Sequence, residues 1–263
     1  MRIRFAKMHG AGNDFVLIDD REGDFPCDRM TLAAIGARGT GVGCEGIILV
    51  QKSDTADFKM RFFNPDGSEA EMCGNGARCV AAFAHKIGAA KSDAMRFETI
   101  AGFVEAEILA PQLVKIRLPD PKDLRSDFVN SGVPHRIVPV EDLAEVDVVD
   151  EGRRIRWSDA FAPSGTNVDF VTYHRPNRVD IRTYERGVEA ETGACGTGSV
   201  AAALVGVAQH GLSFPVKVRT VKGYELVVGG TFDGQTFSDV SLAGPVAWVF
   251  DGEFDLDSLD KNA

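Results

Sequence analysis

Hydrophobic and polar residues alternate in short runs along most of this chain, a pattern typical of β-strands that bury one face. In the first part of the chain the runs are residues 14–19, 46–52, 57–63, 95–100, 103–109 and 113–118. In the second part they are residues 135–140, 167–173, 178–184, 216–220, 224–229, 236–242 and 246–250. The pattern therefore predicts a chain dominated by β-sheet.

Two segments of small and apolar residues interrupt the strand pattern, and each begins at a cysteine. The segment that starts at Cys73 reads CGNGARC, and the one that starts at Cys195 reads CGTGSVA. Each is predicted to be a helix that ends just before a glycine, Gly88 or Gly211, because glycine commonly supplies the left-handed residue that closes a helix. Apolar residues on almost every side indicate that both helices are buried inside a sheet. The two segments form an internal repeat.

This repeat predicts two similar α+β halves within the 263 residues. Two prolines in the polar segment 119–123 mark the expected junction. We therefore predict a first domain of residues 1–120 carrying Cys73 and a second of residues 121–263 carrying Cys195, with the option that the last residues return to the first domain. The acidic tail after Asp251 is expected to be loosely held.

Composition narrows the functional classes. A formal net charge of −10 and a pI near 5.0 argue against a nucleic-acid partner or an anionic membrane surface, which need clustered Lys and Arg. The N-terminal residues do not resemble a secretion signal and no apolar stretch is long enough to span a bilayer, so a cytoplasmic location is expected. The five cysteines are an odd number at low density, which indicates reduced thiols.

The repeated cysteine motif suggests a specific chemistry. A thiol at a helix start lies beside unpaired backbone N–H groups and the positive end of the helix dipole, which favour the thiolate. The same turn can bind a carboxylate through its N–H groups. If the two halves face each other, the carbon next to that carboxylate lies between two sulfurs. This arrangement is that of a two-base racemase or epimerase.

The predicted strands upstream of the two cysteines also end in equivalent polar residues. Asn64 follows the first of these strands, and Glu185 and Arg186 follow the second. Side chains at such strand ends can reach a ligand held by the neighbouring turn. An arginine there offers a bidentate contact to a carboxylate.

Three segments, residues 8–15, 63–79 and 184–198, closely resemble the diaminopimelate epimerase family. The resemblance implies an α+β fold of two pseudo-symmetric domains, each a mixed, mostly antiparallel sheet wrapped around a buried central helix. It implies an enzyme without pyridoxal cofactor or metal that interconverts LL- and meso-diaminopimelate for lysine and peptidoglycan precursor synthesis. Cys195 would accept the α-proton and Cys73 would donate one in the LL to meso direction. The expected partner is this small amino acid, and the family precedent is a homodimer.

The resemblance also assigns roles to residues around the thiols. His135 and Glu185 match family positions that adjust the protonation of the thiols. The reacting carboxylate and amine would be held by Gly74, Asn75, Gly196 and Thr197. The rest of the substrate would be bound by Asn13, Asn64, Asn167, Glu185 and Arg186.

Other interpretations of the sequence remain open. Asn13 and Asn64 could shape turns, Arg186 could pair with a neighbouring glutamate, and His135 could be a satisfied histidine at a turn. The cysteines outside the repeat, Cys27, Cys44 and Cys79, are expected to be buried packing residues.

Alternative functions also follow from departures from the family pattern. Val133 stands where many members of the family have Asn, and Glu45 stands where Asp is common. Such changes fit a related cofactor-independent racemase acting on proline, hydroxyproline or histidine. A non-catalytic amino-acid-binding protein is the alternative outside enzymes. The sequence lacks the short Cys-x-x-Cys pair typical of a thiol redox protein. It also lacks the closely spaced Cys and His ligands typical of a zinc module.

Overall fold

The computed structural model describes residues 1–259, so residues 260–263 of the predicted second half lie outside the described part. The chain forms two compact units. The first contains Met1–Ile116 and residues 245–259, and the second contains Arg117–Gly244.

The first unit is built from eight strands and two helices before the chain leaves it. The strands are β1 (Arg2–Gly10), β2 (Asn13–Asp19), β3 (Gly46–Gln51), β4 (Phe58–Phe63), β5 (Glu69–Ala70), β6 (Ala94–Thr99), β7 (Gly102–Ala110) and β8 (Leu113–Arg117). The helices are α1 (Arg29–Gly36) and α2 (Gly74–Lys86).

The second unit has the same kinds of elements. Its strands are β9 (Lys122–Arg125), β10 (Phe128–Asn130), β11 (Pro134–Pro139), β12 (Asn167–His174), β13 (Arg178–Glu185), β14 (Ala190–Thr192), β15 (Val216–Thr220) and β16 (Glu225–Phe232). Its helices are α3 (Val148–Arg156) and α4 (Gly196–Gln209). The long strand β17 (Phe237–Asp255) pairs with β16 through its first residues and with β1 through its later ones.

The strand pairing repeats between the units. In the first unit β2 and β3 are parallel and β3 and β4 are antiparallel. Strand β4 is parallel to β6, and α2 lies in the connection between these two strands. In the second unit β11 and β12 are parallel, β12 and β13 antiparallel, and β13 runs parallel to β15 across α4. The pairs β1–β2, β6–β7 and β7–β8 of the first unit and β10–β11, β13–β14 and β15–β16 of the second are antiparallel. The α+β fold with a repeated, mixed and mostly antiparallel sheet is thus confirmed.

Each repeated helix is enclosed by the strands of its own unit. Helix α2 packs against β1, β2, β3, β4 and β7, and α4 packs against β10, β11, β12, β13, β15 and β16. The run of alanines in α4 is fully buried, which allows strands to approach from several sides. Gly88 and Gly211 follow the helices with φ of +71° and +69°, as the sequence predicts.

Two helices were not anticipated from the hydrophobic pattern. Helix α1 begins at Asp28, whose carboxylate accepts a hydrogen bond from the Thr31 N–H at 2.9 Å. Helix α3 begins at Asp147, whose carboxylate accepts from the Asp150 N–H at 3.1 Å. Both helices are short, and at the start of each an aspartate side chain satisfies a backbone N–H group that has no partner within the helix.

The expectation of a loosely held tail after Asp251 is wrong for the described residues. Strand β17 continues to Asp255 and pairs with β1, so that Asp251 lies opposite Ala6 and Asp255 opposite Arg2. The acidic residues there are solvent-facing members of a sheet, because β1 supplies the backbone hydrogen bonds. Within residues 1–259 no helix has the length and apolar character needed to cross a membrane.

The core of the first unit allows a test of the packing. Phe58 is 0% exposed and stacks on Phe97 with ring centroids 4.8 Å apart. We expect Phe58→Ala to lower the free energy of unfolding by about 3–5 kcal/mol, because it removes buried apolar area and leaves a cavity. Urea titration followed by circular dichroism measures this change. Ile100→Ala, at a residue 55% exposed, serves as the control and should change stability by less than about 0.5 kcal/mol. Equal losses in the two variants would contradict the described packing.

Candidate active site

Cys73 and Cys195 occupy the same structural position in the two units. Cys73 is the N-cap of α2, with φ −135° and ψ 121°, and Cys195 is the N-cap of α4, with φ −109° and ψ 116°. Their carbonyls accept the first helical hydrogen bonds, from Ala77 N at 2.7 Å and from Ser199 N at 2.9 Å. The predicted placement of both thiols at helix starts is therefore confirmed, and Gly74 and Gly196 are the first residues of the two helices.

The surroundings of Cys73 present a hydrogen-bond acceptor to its sulfur. Cys73 Sγ donates to Asn13 Oδ1 at 3.6 Å, and Asn75 Nδ2 donates to the same oxygen at 3.3 Å. The amide nitrogen of Asn13 donates to Glu45 Oε2. Because Glu45 fixes that nitrogen, the Asn13 oxygen is turned toward the thiol. An acceptor in this place stabilises the protonated form of Cys73.

A buried arginine lies behind the first turn of α2. Arg78 is 0% exposed; its Nη2 donates to Asn75 Oδ1 at 2.6 Å and its Nη1 to the Gly74 carbonyl at 3.3 Å. Burial lowers the pKa of its guanidinium, whereas the nearby sulfurs of Cys79 and Cys73 favour the charge. Among the described residues its Nε has no hydrogen-bond partner. Arg78 was not predicted from the sequence, although it is the single charged residue among the small residues at the start of α2.

Cys195 is the first member of a chain of polar side chains. Its Sγ lies 3.4 Å from Thr197 Oγ1, and this hydroxyl lies 2.9 Å from His135 Nε2. His135 Nδ1 lies 2.6 Å from Asp169 Oδ2, and Thr183 Oγ1 donates to Asp169 Oδ1 at 2.7 Å. The side chains of His135 and Asp169 are both 0% exposed. This series of hydrogen-bonded side chains thus runs from a partly buried thiol to a fully buried carboxylate.

The pKa of the Cys195 thiol is raised from its ordinary value. Desolvation by burial is the main cause, and the carboxylates of Glu185 and Asp169 add to it. The Thr197 hydroxyl and the Gly198 N–H oppose the shift without cancelling it. The helix start alone favours the thiolate. Burial next to two carboxylates outweighs the helix N-terminus.

The sheet explains how these residues meet. The parallel pairing of β11 and β12 puts His135 opposite Asn167, and the antiparallel pairing of β12 and β13 puts Asp169 opposite Thr183. A Cβ at Gly198 would lie 2.5 Å from Asp169 Oδ1, so the glycine lets the carboxylate approach the first turn of α4. Asp169 was not predicted from the sequence, although it is a charged residue between the apolar residues Val168 and Phe170.

The remaining predicted residues lie at strand ends and turns. Asn64 follows β4, and its Nδ2 donates to Ser68 Oγ at 3.1 Å. Asn167 is 3% exposed; its Nδ2 donates to the Pro134 carbonyl at 3.0 Å and its Oδ1 accepts from Arg186 N at 2.8 Å. Its amide therefore ties the loop after β13 to the start of β11.

Glu185 and Arg186 lie where β13 ends. Glu185 is its last residue, and its Oε2 accepts from Thr192 Oγ1 at 2.8 Å. Arg186 comes next and is partly buried. Glu189, a glutamate close to Arg186 in sequence, forms an ion pair with Arg156 at 3.2 Å.

The cysteines outside the repeat differ from one another. Cys44 and Cys79 are buried, as predicted, and burial raises the pKa of Cys44 to about 11 and that of Cys79 further still. The expectation of full burial is wrong for Cys27, which is partly exposed and whose Sγ donates to the Phe25 carbonyl at 3.4 Å. Across residues 1–259 the structure contains no group of three or more Cys, His, Asp or Glu side chains able to hold a metal ion.

Comparison with known proteins gives a consistent result. The family model described as diaminopimelate epimerase matches residues 5–118 and 128–247. Diaminopimelate epimerase of Aquifex aeolicus is 42% identical, with 98% of this chain and 100% of the relative covered. Among solved structures, a PhzF-family phenazine biosynthesis protein of Bacillus anthracis matches with a TM-score of 0.73 at 17% identity, covering 97% of this chain and 99% of the other.

A second solved structure, of a probable proline racemase of Agrobacterium radiobacter, matches with a TM-score of 0.70 at 16% identity, covering 98% and 94% of the two chains. At such identities the two structures indicate a shared fold.

The different settings of the thiols predict different reactivity. At pH 8 we expect iodoacetamide to alkylate the partly exposed Cys73, while Cys44 and Cys79 stay unmodified. The reason is that the raised pKa values of these two buried thiols leave almost no thiolate. Peptide mapping by mass spectrometry measures this, since cleavage after Arg78 separates Cys73 from Cys79. Cys73→Ser is the control for peptide assignment. Modification of Cys44 or Cys79 at a rate similar to that of Cys73 would contradict the described burial.

Proposed function

The chain belongs to the diaminopimelate epimerase family and is an isomerase, and we propose that it interconverts LL- and meso-2,6-diaminopimelate by proton transfer between the substrate Cα and the sulfurs of Cys73 and Cys195. The observation that carries this proposal is the duplicated N-cap cysteine. Each unit has one thiol at the start of a buried helix, preceded by a strand that ends in polar residues.

The proposed reaction uses one thiolate and one thiol. In the LL to meso direction Cys195 takes the α-proton, and Cys73 gives a proton to the opposite face of the same carbon. The roles reverse in the other direction. The Asn13 oxygen, 3.6 Å from Cys73 Sγ, supports a protonated Cys73 at the start of the first direction. The electron pair left on Cα is delocalised into the neighbouring carboxylate, so no carbonyl cofactor is needed in this mechanism.

Substrate binding is proposed to use the helix starts and the strand ends. Backbone N–H groups at Gly74, Asn75, Gly196 and Thr197 are suited to the reacting carboxylate, because the first N–H groups of a helix have no partner within it. The remaining substrate contacts are assigned to Asn13, Asn64, Asn167, Glu185 and Arg186. The amide of Asn167 also joins Pro134 to Arg186 and so holds the Arg186 loop in place.

The substrate is proposed from the family, and the product would enter lysine and peptidoglycan precursor synthesis in a bacterial cytoplasm. The alternative is a related racemase acting on proline, hydroxyproline or histidine. Val133, which lies between β10 and β11 in place of the common asparagine, is the residue that motivates this alternative. Assays of the protein with each of these amino acids distinguish the proposed epimerase from the alternative racemase.

Hydrogen exchange in deuterated water tests both the mechanism and the substrate. We expect the purified protein to incorporate deuterium at the α-carbon of LL-diaminopimelate at a catalytic rate, and not into proline or histidine. Proton NMR and mass spectrometry measure the exchange. Rapid exchange into proline or histidine instead would replace the proposed substrate. Absence of exchange into every amino acid, with retained binding of one, would favour the binding-protein alternative.

Substitution of the thiols tests the two-base mechanism. We expect Cys73→Ser and Cys195→Ser each to lower the turnover number by at least about a hundredfold, because a hydroxyl is a far weaker acid and base at neutral pH than a thiol. Cys27→Ser, outside the site, should keep the wild-type rate. Circular dichroism checks that each variant is folded. Wild-type turnover in either folded site variant would refute the mechanism.

The pH profile provides a separate test. The turnover number should fall in acid, where the acceptor sulfur is protonated, and fall in alkali, where the donor sulfur has lost its proton. The two limbs belong to coupled titrations of the pair. An initial-rate assay over a wide pH range measures this, and a profile without either limb would contradict the need for one thiol and one thiolate.

A further inference from the structure

We propose that Asp169 is a positioning residue of this reaction: it fixes His135 so that the imidazole Nε2 accepts the proton of Cys195 through the hydroxyl of Thr197. This inference deepens the proposed function, since it rests on Cys195 acting as a base there. It assigns a role to a carboxylate in β12 that neither the cysteine motifs nor the strand ends contain. Four contacts within the second unit carry the argument.

The first contact sets the tautomer of His135. Asp169 Oδ2 lies 2.6 Å from Nδ1, and an ionised carboxylate can only accept a hydrogen bond, so the proton of a neutral imidazole resides on Nδ1. Nε2 then carries a lone pair. That lone pair points at Thr197 Oγ1, 2.9 Å away. The side chains of His135 and Asp169 are both 0% exposed, so bulk water does not compete for either nitrogen of the imidazole.

The second contact orients Asp169. Thr183 Oγ1 donates to Asp169 Oδ1 at 2.7 Å, which fixes the other carboxylate oxygen. The same oxygen lies at the first turn of α4, in the space that a side chain at position 198 would otherwise fill. A helix start favours negative charge. The carboxylate therefore has a donor on each oxygen and a favourable dipole behind it.

The third and fourth contacts place the Thr197 hydroxyl between sulfur and imidazole. Its oxygen lies 3.4 Å from Cys195 Sγ and 2.9 Å from His135 Nε2, and one hydroxyl can accept from one neighbour while it donates to the other. The Thr197 carbonyl accepts from Ser131 Oγ at 2.9 Å. This contact holds the residue from the other side, so the hydroxyl is placed by the fold.

The proton balance of the step is closed within these side chains. The S–H bond of Cys195 breaks and its proton passes to Thr197 Oγ, while the hydroxyl proton of Thr197 passes to His135 Nε2. The products are a thiolate and an imidazolium, and Asp169 stays ionised next to the new positive charge. The net charge of the group does not change. Proton return follows the same path in reverse.

Proton transfer to His135 avoids the unfavourable loss of the Cys195 proton to solvent. The surroundings of Cys195 oppose loss of its proton to solvent, because Glu185 and Asp169 both face it and burial desolvates it. Tyr173, in β12, also faces Asp169, and burial raises the pKa of its phenol. Transfer to His135 forms a thiolate without adding net charge to this acidic surrounding.

Asp169→Asn tests the proposal in the protein without substrate. The asparagine amide can donate to Nδ1, which would leave the proton on Nε2 and remove the acceptor that faces Thr197. The readout is the rate at which iodoacetamide alkylates Cys195, followed by peptide mass spectrometry from pH 5 to pH 10. The wild-type rate should have a plateau near neutral pH that reports the thiolate–imidazolium pair. In Asp169→Asn the plateau should disappear, with a rate at pH 7 at least about tenfold lower.

Controls separate the relay from a general loss of structure. Asp180→Asn is the matched control, because Asp180 Oδ2 pairs with a second histidine of the same unit, His174 Nε2, at 3.1 Å. This variant should keep the plateau. Thr197→Val should lose it as Asp169→Asn does, and Thr197→Ser should restore it. A plateau retained in Asp169→Asn or Thr197→Val would overturn the proposal.

A measurement on the wild-type protein decides the question even if Asp169→Asn does not fold. The chain has five histidines, so nitrogen NMR of histidine-labelled protein can be assigned with single substitutions. In the neutral form, His135 should carry its proton on Nδ1. A proton on Nε2 would overturn the proposal. Neither readout requires turnover, so a correct relay in a protein without epimerase activity would refute the proposed function alone.

Discussion

The enclosure of two helices by sheets, with their first residues left partly exposed, is the constraint on which the rest of this structure depends. A helix leaves its first N–H groups without internal partners, and α2 and α4 begin where strands surround them. Those N–H groups therefore favour an anionic ligand or side chain nearby. Cys73 and Cys195 stand at these positions, so the backbone alone gives both thiols the same environment.

Side chains from neighbouring strands then make the two environments different. Near Cys73 the contacts come from an amide oxygen fixed by Glu45 and from a helix turn that holds a buried guanidinium. Near Cys195 they come from a hydroxyl, an imidazole and a carboxylate in sequence. The duplicated backbone thus supplies equal positions, and the neighbouring side chains make the surroundings of the two thiols chemically different.

The elements that could be predicted from sequence are those whose signal is local. Most of the strand runs, both cysteine helices and their glycine ends depend on neighbours a few residues away, and they are found close to where the pattern places them. Strand β1 was not among the predicted runs, and the runs 236–242 and 246–250 form the single strand β17. Helices α1 and α3 were not predicted because they are eight and nine residues long, too short for a periodic apolar pattern to stand out. The tail beyond Asp251 was misjudged because its order comes from pairing with β1, at the opposite end of the chain.

The same limit applies to the candidate site. The cysteines and glycines of the repeat are visible in sequence because they are contiguous. The pair of His135 and Asp169 is not, since these residues are 34 positions apart and meet only because β11 and β12 run parallel. A charged residue inside an apolar strand is nevertheless a sign in itself, because a buried carboxylate is costly unless hydrogen-bonded. The position of Asp169 in β12 therefore predicts hydrogen-bond donors around its carboxylate. In the fold these donors are Thr183 and His135.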